Sequence, residues 1–462
     1  MNRWLAGNIL WPLTERLVGR DTMRRVRQLR RSDRASLAQL RAIQQRKLQR
    51  VIRLAAGHCP FYRERFRACG LEPGDKSITP ESLQALPFLT RDTIRDNLDA
   101  MRWPDAPGRQ WLYTTGGSSG EPLRFYTDAS RQAADWAARW RAREWWGICP
   151  GDREIWIWGS PVEVNATDRL RRWRDALLGQ EILSAFEMSD AAMDRYVERL
   201  QHVRPACVYG YASSLALLAR HALEAGGLPP GALGSGRLRA VFTTGEGLLE
   251  PDRVAIERAF GSPVVVEYGS RDGGLIALGC PAGMLHVPQE NAIVEIVDED
   301  GRPTAPGEIG EVVVTCLETF AMPVIRYRIG DLARLAPASA LEADGRCRCG
   351  SAHLALAEVR GRLTDHIIRK EAGCLRRMHA LSLIYVLRDA PGIRQFRIEQ
   401  PDLQRLNVDL VCDGTFTPER ERAVIEELAR RMGPDVSIRL RRRDRIPPSP
   451  SGKHACVVSH VH

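Results

Sequence analysis

The sequence predicts an α/β protein in two parts. One is a large N-terminal domain of mixed, largely parallel sheets with helices and a β-barrel-like portion; the other is a small α+β C-terminal domain. Three observations carry that prediction. Between about 150 and 270, short apolar runs alternate with helical stretches, the pattern of strands joined by crossover helices. Between about 291 and 335 the texture turns to β. After Gly361 a separate succession of strand, strand, helix and strand begins, which sets the domains at 1–360 and 361–462.

In chain order, Leu37, Leu40, Ile43, Leu48, Val51 and Leu54 recur at helical spacing from Ser36 onward. Residues 60–103, punctuated by Pro60, Pro73, Gly74, Pro80 and Pro87, read as loops and short helices. A helix is predicted over Arg131–Trp146. Glu154–Trp158, Ala206–Tyr209, Arg239–Thr243 and Val264–Tyr268 read as buried strands. Ala191–His202, Ser213–Glu224 and Arg253–Phe260 read as the helices between them. Ala292–Val297 and Glu311–Thr315 follow as strands, linked by a turn-rich segment at 298–303. In the small domain, strands near 394–400, 406–412 and 436–440 accompany a helix near 418–432.

Composition narrows the class. The 462 residues, 44% hydrophobic and 27% charged, supply ample core for two or three domains. No apolar run approaches the ~20 residues that span a bilayer. The opening residues lack a signal-peptide pattern. Eleven cysteines, an odd count at irregular spacing, fit a reducing compartment better than a disulfide framework, so a cytoplasmic protein is expected. Residues 1–70 hold 17 Lys+Arg against 4 Asp+Glu, a net +13 that leaves the remainder at −3 of the overall +10. Such a basic segment suits nucleic acid or an anionic membrane surface. The helical stripe favours a packed helix with an Arg-rich solvated face, and no nucleic-acid partner is expected. Ahead of it, Trp4, Leu5, Ile9, Leu10, Trp11 and Leu13 leave peripheral membrane or partner contact open.

The most unusual stretch is Tyr113–Pro122, containing Thr114, Thr115, Gly116, Gly117, Ser118, Ser119 and Gly120. Glycines allow close backbone approach to a ligand, and consecutive N–H groups with hydroxyls form an anion-binding concavity. A polyphosphate-wrapping loop and a solvated surface loop both fit the residues. It is not the P-loop of kinase-like NTPases, because no Gly-Lys-Ser/Thr ends it. Downstream, Thr243-Thr244-Gly245-Glu246 follows one strand, and Tyr268-Gly269-Ser270-Arg271-Asp272 closes another. Arg326-Tyr327-Arg328-Ile329-Gly330-Asp331, Gly361-Arg362-Leu363-Thr364-Asp365 and Pro450-Ser451-Gly452-Lys453 come later.

In this order the strings resemble the signatures of the adenylate-forming superfamily, which includes acyl-CoA synthetases, peptide-synthetase adenylation domains and luciferase. Cys59–Arg63, Tyr209–Ser214 and Arg377–Gln400 resemble the phenylacetate-CoA ligase branch and its CapK-like members, associated with capsular polysaccharide loci. The resemblance implies phosphate binding by Thr114–Gly120, adenine contact at Thr244, Gly245 and Glu246, and a nucleotide-site element at Tyr268, Gly269 and Ser270. It implies a ribose-gripping Asp331, a hinge at Arg362 about which a small mobile domain turns, and a catalytic Lys453. Asp272 stands where the superfamily carries a Mg²⁺-holding Glu, one methylene longer. The implied reaction is ATP-dependent activation of a carboxylic acid to an acyl- or aryl-adenylate, then transfer to a thiol such as CoA. Transfer to an amine or hydroxyl of a sugar is the alternative acceptor chemistry, and a non-catalytic nucleotide-binding protein the third reading.

Cys280, His286, Cys347 and Cys349 form a second constellation. Three thiols and an imidazole match a structural Zn²⁺ site in count and ligand softness. The spacing departs from the commoner Cys-x2-Cys, and unrelated packed thiols fit the residues as well. A similar Cys/His cluster is implied by the resemblance to phenylacetate-CoA ligase-like proteins.

Overall fold

A computed structural model of the chain describes residues 3–114, 123–159, 175, 177–185, 188–224, 227–234, 236–245, 247–248, 250–360, 366–371, 374–444, 446 and 457–461. The chain divides into two compact units. One comprises residues 1–113, 124–158 and 166–362, and the other 114–123, 159–165 and 363–462.

The first unit is organised on strands β3 (Glu154–Trp158), β4 (Gln180–Ser184), β5 (Cys207–Tyr211), β6 (Ala240–Thr244) and β7 (Val264–Ser270). β4, β3, β5, β6 and β7 lie side by side and parallel, in that order. Parallel neighbours need crossovers, here the helices Asp190–Val203, Ala212–Glu224 and Glu250–Phe260. β5 and β6 are buried along their whole length, which explains their near-continuous apolar runs.

The β-rich stretch departs from expectation. β8 (Gly274–Gly279), β9 (Leu285–His286), β10 (Ala292–Val297), β11 (Ile309–Cys316), β12 (Tyr327–Leu335) and β13 (Ala355–Arg360) extend the same sheet. Their order runs β10-β11-β12-β13-β9-β8-β7, all antiparallel. Among the described residues no pairing closes these strands into a barrel. Each short β-segment instead finds its partner on the growing edge of the large sheet. A separate two-stranded piece is made by β1 (Gln110–Thr114) and β2 (Arg124–Asp128).

The helix Ala129–Trp145 braces this sheet. Asp128 caps it by accepting the Arg131 N–H at 2.9 Å, while its other oxygen accepts the Phe320 and Ala321 N–H groups, both at 2.7 Å. Ala133, Ala134, Ala137, Ala138 and Ala142 are all buried, small side chains that let the helix approach closely. Arg131, Arg139, Arg141 and Arg143 carry cations inward from the same helix; Arg143 pairs with fully buried Glu154 at 2.5 Å.

The second unit holds the hairpin β14 (His366–Glu371)–β15 (Cys374–His379) and a four-stranded sheet. That sheet runs β18 (Ser437–Arg442), β17 (Arg405–Cys412), β16 (Ile393–Asp402), β19 (Val457–Ser459). The helices Leu381–Asp389 and Pro418–Met432 cover a core that includes Leu383, Phe396, Ile398, Leu406, Val408, Leu410 and Leu428.

Candidate functional site

β3, β5, β6 and β7 end at one edge of the sheet, and the carboxyl ends of parallel strands are where open α/β sheets bind ligands. Thr244 closes β6 opposite Glu267 of β7, so Gly245 and Tyr268 emerge from adjacent strand ends.

The turn after β7 is tightly specified. Ser270 pairs with Gly274, leaving Arg271, Asp272 and Gly273 to reverse the chain. Gly274 has φ +82°, a left-handed conformation that glycine adopts freely. A Cβ at Gly273 would stand 2.7 Å from the Ile329 Cδ1. Buried Arg131 clasps the turn, donating to the Asp272 carbonyl at 3.0 Å and the Arg271 carbonyl at 2.7 Å.

Asp272 is only 3% exposed. Tyr327 donates its hydroxyl to Asp272 Oδ2 at 2.6 Å, and Arg91 Nη2 lies 3.6 Å from the same oxygen. Burial pushes the Asp272 carboxyl up, but Arg91 and the Tyr327 and Ser270 hydroxyls together hold it below its ordinary value. Burial and the Asp272 charge push the Tyr327 phenol up, which keeps it a donor.

Arg91 arrives there through backbone pairing. The Leu89 N–H donates to Arg326 O at 2.8 Å, and the Arg328 N–H donates to Leu89 O at 2.9 Å, a parallel bridge beside Tyr327. Thr90 then caps the short helix Arg91–Asp96, accepting the Thr93 N–H at 3.2 Å. Arg326 has φ +56°, uncommon for a residue with a side chain. Its N–H donates to Thr315 Oγ1 at 2.8 Å, and its buried guanidinium lies 4.2 Å over Phe88 and 3.3 Å from Glu295.

The second carboxylate, Asp331 on β12, accepts the Tyr268 hydroxyl at 3.0 Å. Two tyrosines and two aspartates from two distant segments therefore interlock. Ser270 accepts the Gly273 N–H at 2.7 Å, and Gly269 lies within β7. Thr114 is the last residue of β1. Thr115, Gly116, Gly117, Ser118, Ser119, Gly120, Glu246, Arg362 and Lys453 lie outside the described residues.

β3 and β5 carry an aromatic wall. Trp158 of β3 stacks on Tyr211 of β5 at 4.3 Å, and Trp156 lies 4.4 Å from Tyr209. Buried ions fix the wall: Arg139 grips both Glu267 oxygens at 2.7 and 2.9 Å, and Tyr209 donates to Glu267 at 2.8 Å. Burial raises the Glu267 carboxyl, and Arg139 more than reverses that, leaving it ionised.

Cys280, His286, Cys347 and Cys349 do come together, their ligand atoms all within 4.8 Å of one another. Sheet order explains the closure over some sixty residues. Cys280 follows β8, His286 lies in β9, and β9 sits between β8 and β13, where His286 pairs with Ala355. The loop bearing Cys347 and Cys349 thus returns to Cys280, whose Sγ is 3.8 Å from that of Cys347. The His286 Nδ1–H donates to the His353 carbonyl at 3.3 Å, leaving Nε2 toward Cys349 Sγ at 3.2 Å. The Nδ1–H bond to the carbonyl fixes the tautomer a metal-binding histidine needs, so three soft sulfurs and one oriented nitrogen fit a tetrahedral Zn²⁺. Behind the cluster, His353 and Arg141 both meet buried Glu290, Arg141 at 2.7 Å. Burial raises Glu290, but Arg141 and His353 carry it down to about 2.

Asp272 fits a metal less readily. A carboxylate is the right hard ligand for Mg²⁺, yet Oδ2 is bonded to Tyr327 and faces the Arg91 cation. In this arrangement its charge is already balanced by protein groups.

Three residues of these sites had no motif to announce them: Arg91, Arg131 and His353. Arg131 acts on a turn about 140 residues away. Arg91 depends on a single bridge to β12, which no local pattern encodes.

Residues 368–460 match the family model described as the CapK C-terminal domain. Protein CapK of Staphylococcus aureus is 23% identical over 406 residues, covering 87% of this chain and 85% of that one. The phenylacetate-coenzyme A ligase of Escherichia coli (strain K12) is 28% identical over 319 residues, 66% of this chain and 69% of its own. The fold is that of a 2-hydroxyisobutyryl-CoA ligase solved with 2-HIB-AMP and CoA, at a TM-score of 0.63 and 20% identity. The match covers 93% of this chain and 92% of that one.

Proposed function

This chain belongs to the adenylate-forming superfamily, and we propose that it activates a carboxylic acid with ATP and hands the acyl group to a thiol, CoA in the first instance. The supporting observation is the interlocked Tyr268–Asp331 and Tyr327–Asp272 pairs, which join the carboxyl-end region of the parallel strand β7 to the antiparallel strand β12. In the first step a substrate carboxylate oxygen attacks the α-phosphorus of ATP. The acyl–O–P bond forms, the bond to the β-phosphate breaks, and pyrophosphate leaves. In the second, a thiolate attacks the acyl carbon, the C–S bond forms and AMP departs.

In this reading Asp331, oriented by Tyr268, accepts the ribose hydroxyls, and Thr244 with Gly245 and Glu246 frames the adenine. Thr114 through Gly120 take the β- and γ-phosphates, and Lys453 faces the α-phosphate and the acid. Mg²⁺ would supply charge neutralisation to ATP when bound, while Arg91 already balances Asp272. Arg91 and Tyr327 hold that carboxylate in place. The Trp156, Trp158, Tyr209 and Tyr211 wall supports an acid with a planar apolar tail, which stacks on aromatic faces. The unit of residues 363–462 is proposed as the mobile lid, with Arg362 at its hinge. Zn²⁺ on Cys280, His286, Cys347 and Cys349 would be structural, tying the segment after β8 to the loop before β13.

ATP–pyrophosphate exchange over a panel of carboxylic acids tests the first step. Acid-dependent exchange, strongest with aromatic acids, is expected; no exchange with any acid would leave a nucleotide-binding protein without catalysis. Product analysis with CoA, then with sugar amines and hydroxyls, separates thioester formation from acyl transfer in polysaccharide assembly.

A further inference from the structure

Residues 3–17 form one continuous helical rod: Arg3–Leu5, a π-helical turn at Ala6–Leu10, then Trp11–Leu17. Its inner side is docked without slack. A Cβ at Gly7 would lie 2.1 Å from the Pro150 carbonyl oxygen, so only glycine permits this approach. Trp11, buried, meets Trp136 and Trp140 edge-on at 5.4 and 5.3 Å. Buried Glu15 pairs with Arg20 at 2.6 Å and accepts the Thr22 hydroxyl.

The outer side is the anomaly. Trp4 (62%), Leu5 (43%), Ile9 (45%), Leu13 (50%) and Leu17 (77%) are exposed, the last four repeating once per turn as a ridge. They are five of the thirteen exposed large hydrophobics among the described residues, on a rod of fifteen. A surface helix ordinarily turns its apolar stripe to the core and its charges outward. Here the core-facing positions are filled and a second apolar face looks out.

The charge around it selects the occupant. Of the four acids in residues 1–70, Glu15 pairs with Arg20, Asp21 with Arg24 and Arg25, and Asp33 with Arg141. Arg16 on the rod and Arg27, Arg31 and Arg34 just after it are exposed. A second copy of this chain seated on the ridge would bring two +13 segments together, which repel. Nucleic acid would use the arginines but gain nothing from an aliphatic ridge. An anionic bilayer surface uses both, because apolar side chains enter the headgroup boundary while arginines meet lipid phosphates. We propose that the face of the 3–17 rod is a peripheral docking surface for anionic lipid membranes. No helix among the described residues is long and apolar enough to cross a membrane, so the rod would lie on the surface.

Co-sedimentation of the full chain with vesicles of phosphatidylcholine, or of phosphatidylcholine with phosphatidylglycerol, tests this. Binding to the mixed vesicles, weakened by salt and absent from the neutral ones, is expected. Ile9→Gln with Leu13→Gln should reduce it roughly tenfold without changing the melting temperature, and Arg27→Glu with Arg31→Glu should do so independently. No binding to the mixed vesicles at physiological salt would overturn the proposal. So would equal binding by the Gln variant, or light scattering showing that the ridge holds a dimer together.

Discussion

The Asp/Tyr corner and the Cys/His cluster lie in the same unit, and their polar groups are satisfied in opposite ways. In the corner, Asp272 is balanced by Arg91 and bonded to Tyr327, and Asp331 is bonded to Tyr268. In the cluster, two sulfurs face each other at 3.8 Å and a third faces a histidine nitrogen at 3.2 Å. Four ligand atoms, three on buried residues and one on exposed Cys349, converge within 4.8 Å of one another. The corner is held in place by its own side chains. The cluster brings together donors that could hold a metal ion, so under the proposed reading the first serves binding and the second stability.

The largest effect is therefore expected at the cluster. Cys347→Ser, or prolonged chelation, should release roughly one zinc per chain and lower the melting temperature. The loss should be on the order of 4 kcal/mol, the range in which loss of a metal site falls. Elemental analysis with calorimetry reads it. Full stability in a metal-free protein would erase the contrast and leave three packed thiols. Nucleotide affinity at the corner, measured on the folded fraction, should move far less.

Next comes the chemistry. Lys453→Ala should slow adenylation by about 10²–10³-fold, the usual consequence of removing one group that stabilises transition-state charge. Transfer from supplied acyl-adenylate should survive, because the lysine serves the first step alone. Equal loss of both half-reactions in a folded variant would end that assignment.

The two regions also differ in how far the sequence disclosed them. Tyr268, Asp272 and Asp331 stand out in the sequence because each sits in a recognisable string, Tyr268 in β7, Asp272 just after it and Asp331 in β12. The Cys/His residues were legible by type but not by spacing, since their closure depends on β9 lying between β8 and β13. For the same reason the barrel-like expectation is not shown among the described residues. Local β-texture at 292–335 says that strands form, whereas edge pairing decides that they extend one sheet. Arg91 and Arg131 act through contacts across about 180 and 140 residues, which no periodicity records. In the small unit the Arg-rich hairpin β14–β15 lacks an alternating apolar pattern and was not anticipated. The segment at residues 4–13 was read correctly as apolar. Its division into a buried Trp11 and an exposed ridge needed the packing of Gly7 on Pro150.

A smaller effect should follow from Asp331→Ala. If this carboxylate holds the ribose, ATP binding weakens by about 1–3 kcal/mol, the cost of losing charge-assisted hydrogen bonds. Zinc content and melting temperature should stay near wild type, which keeps the corner and the cluster separable. Isothermal titration with ATP is the direct measurement, and an unchanged affinity removes Asp331 from the nucleotide site.

The smallest effect sharpens the comparison most. Tyr268→Phe deletes one hydroxyl and leaves the ring in β7, where the side chain is 7% exposed. If Tyr268 only orients Asp331, the ribose contacts persist in a looser frame. ATP affinity then falls by about 0.5–1.5 kcal/mol, the net value of a single intramolecular hydrogen bond. Because the role is positioning, Asp331→Ala and Tyr268→Phe should not add: the double variant should bind ATP about as weakly as Asp331→Ala alone. Strict additivity would mean that Tyr268 touches the nucleotide in its own right. The same double-mutant cycle run between Tyr268 and Cys347 should show no coupling, since the corner balances its charges with its own side chains.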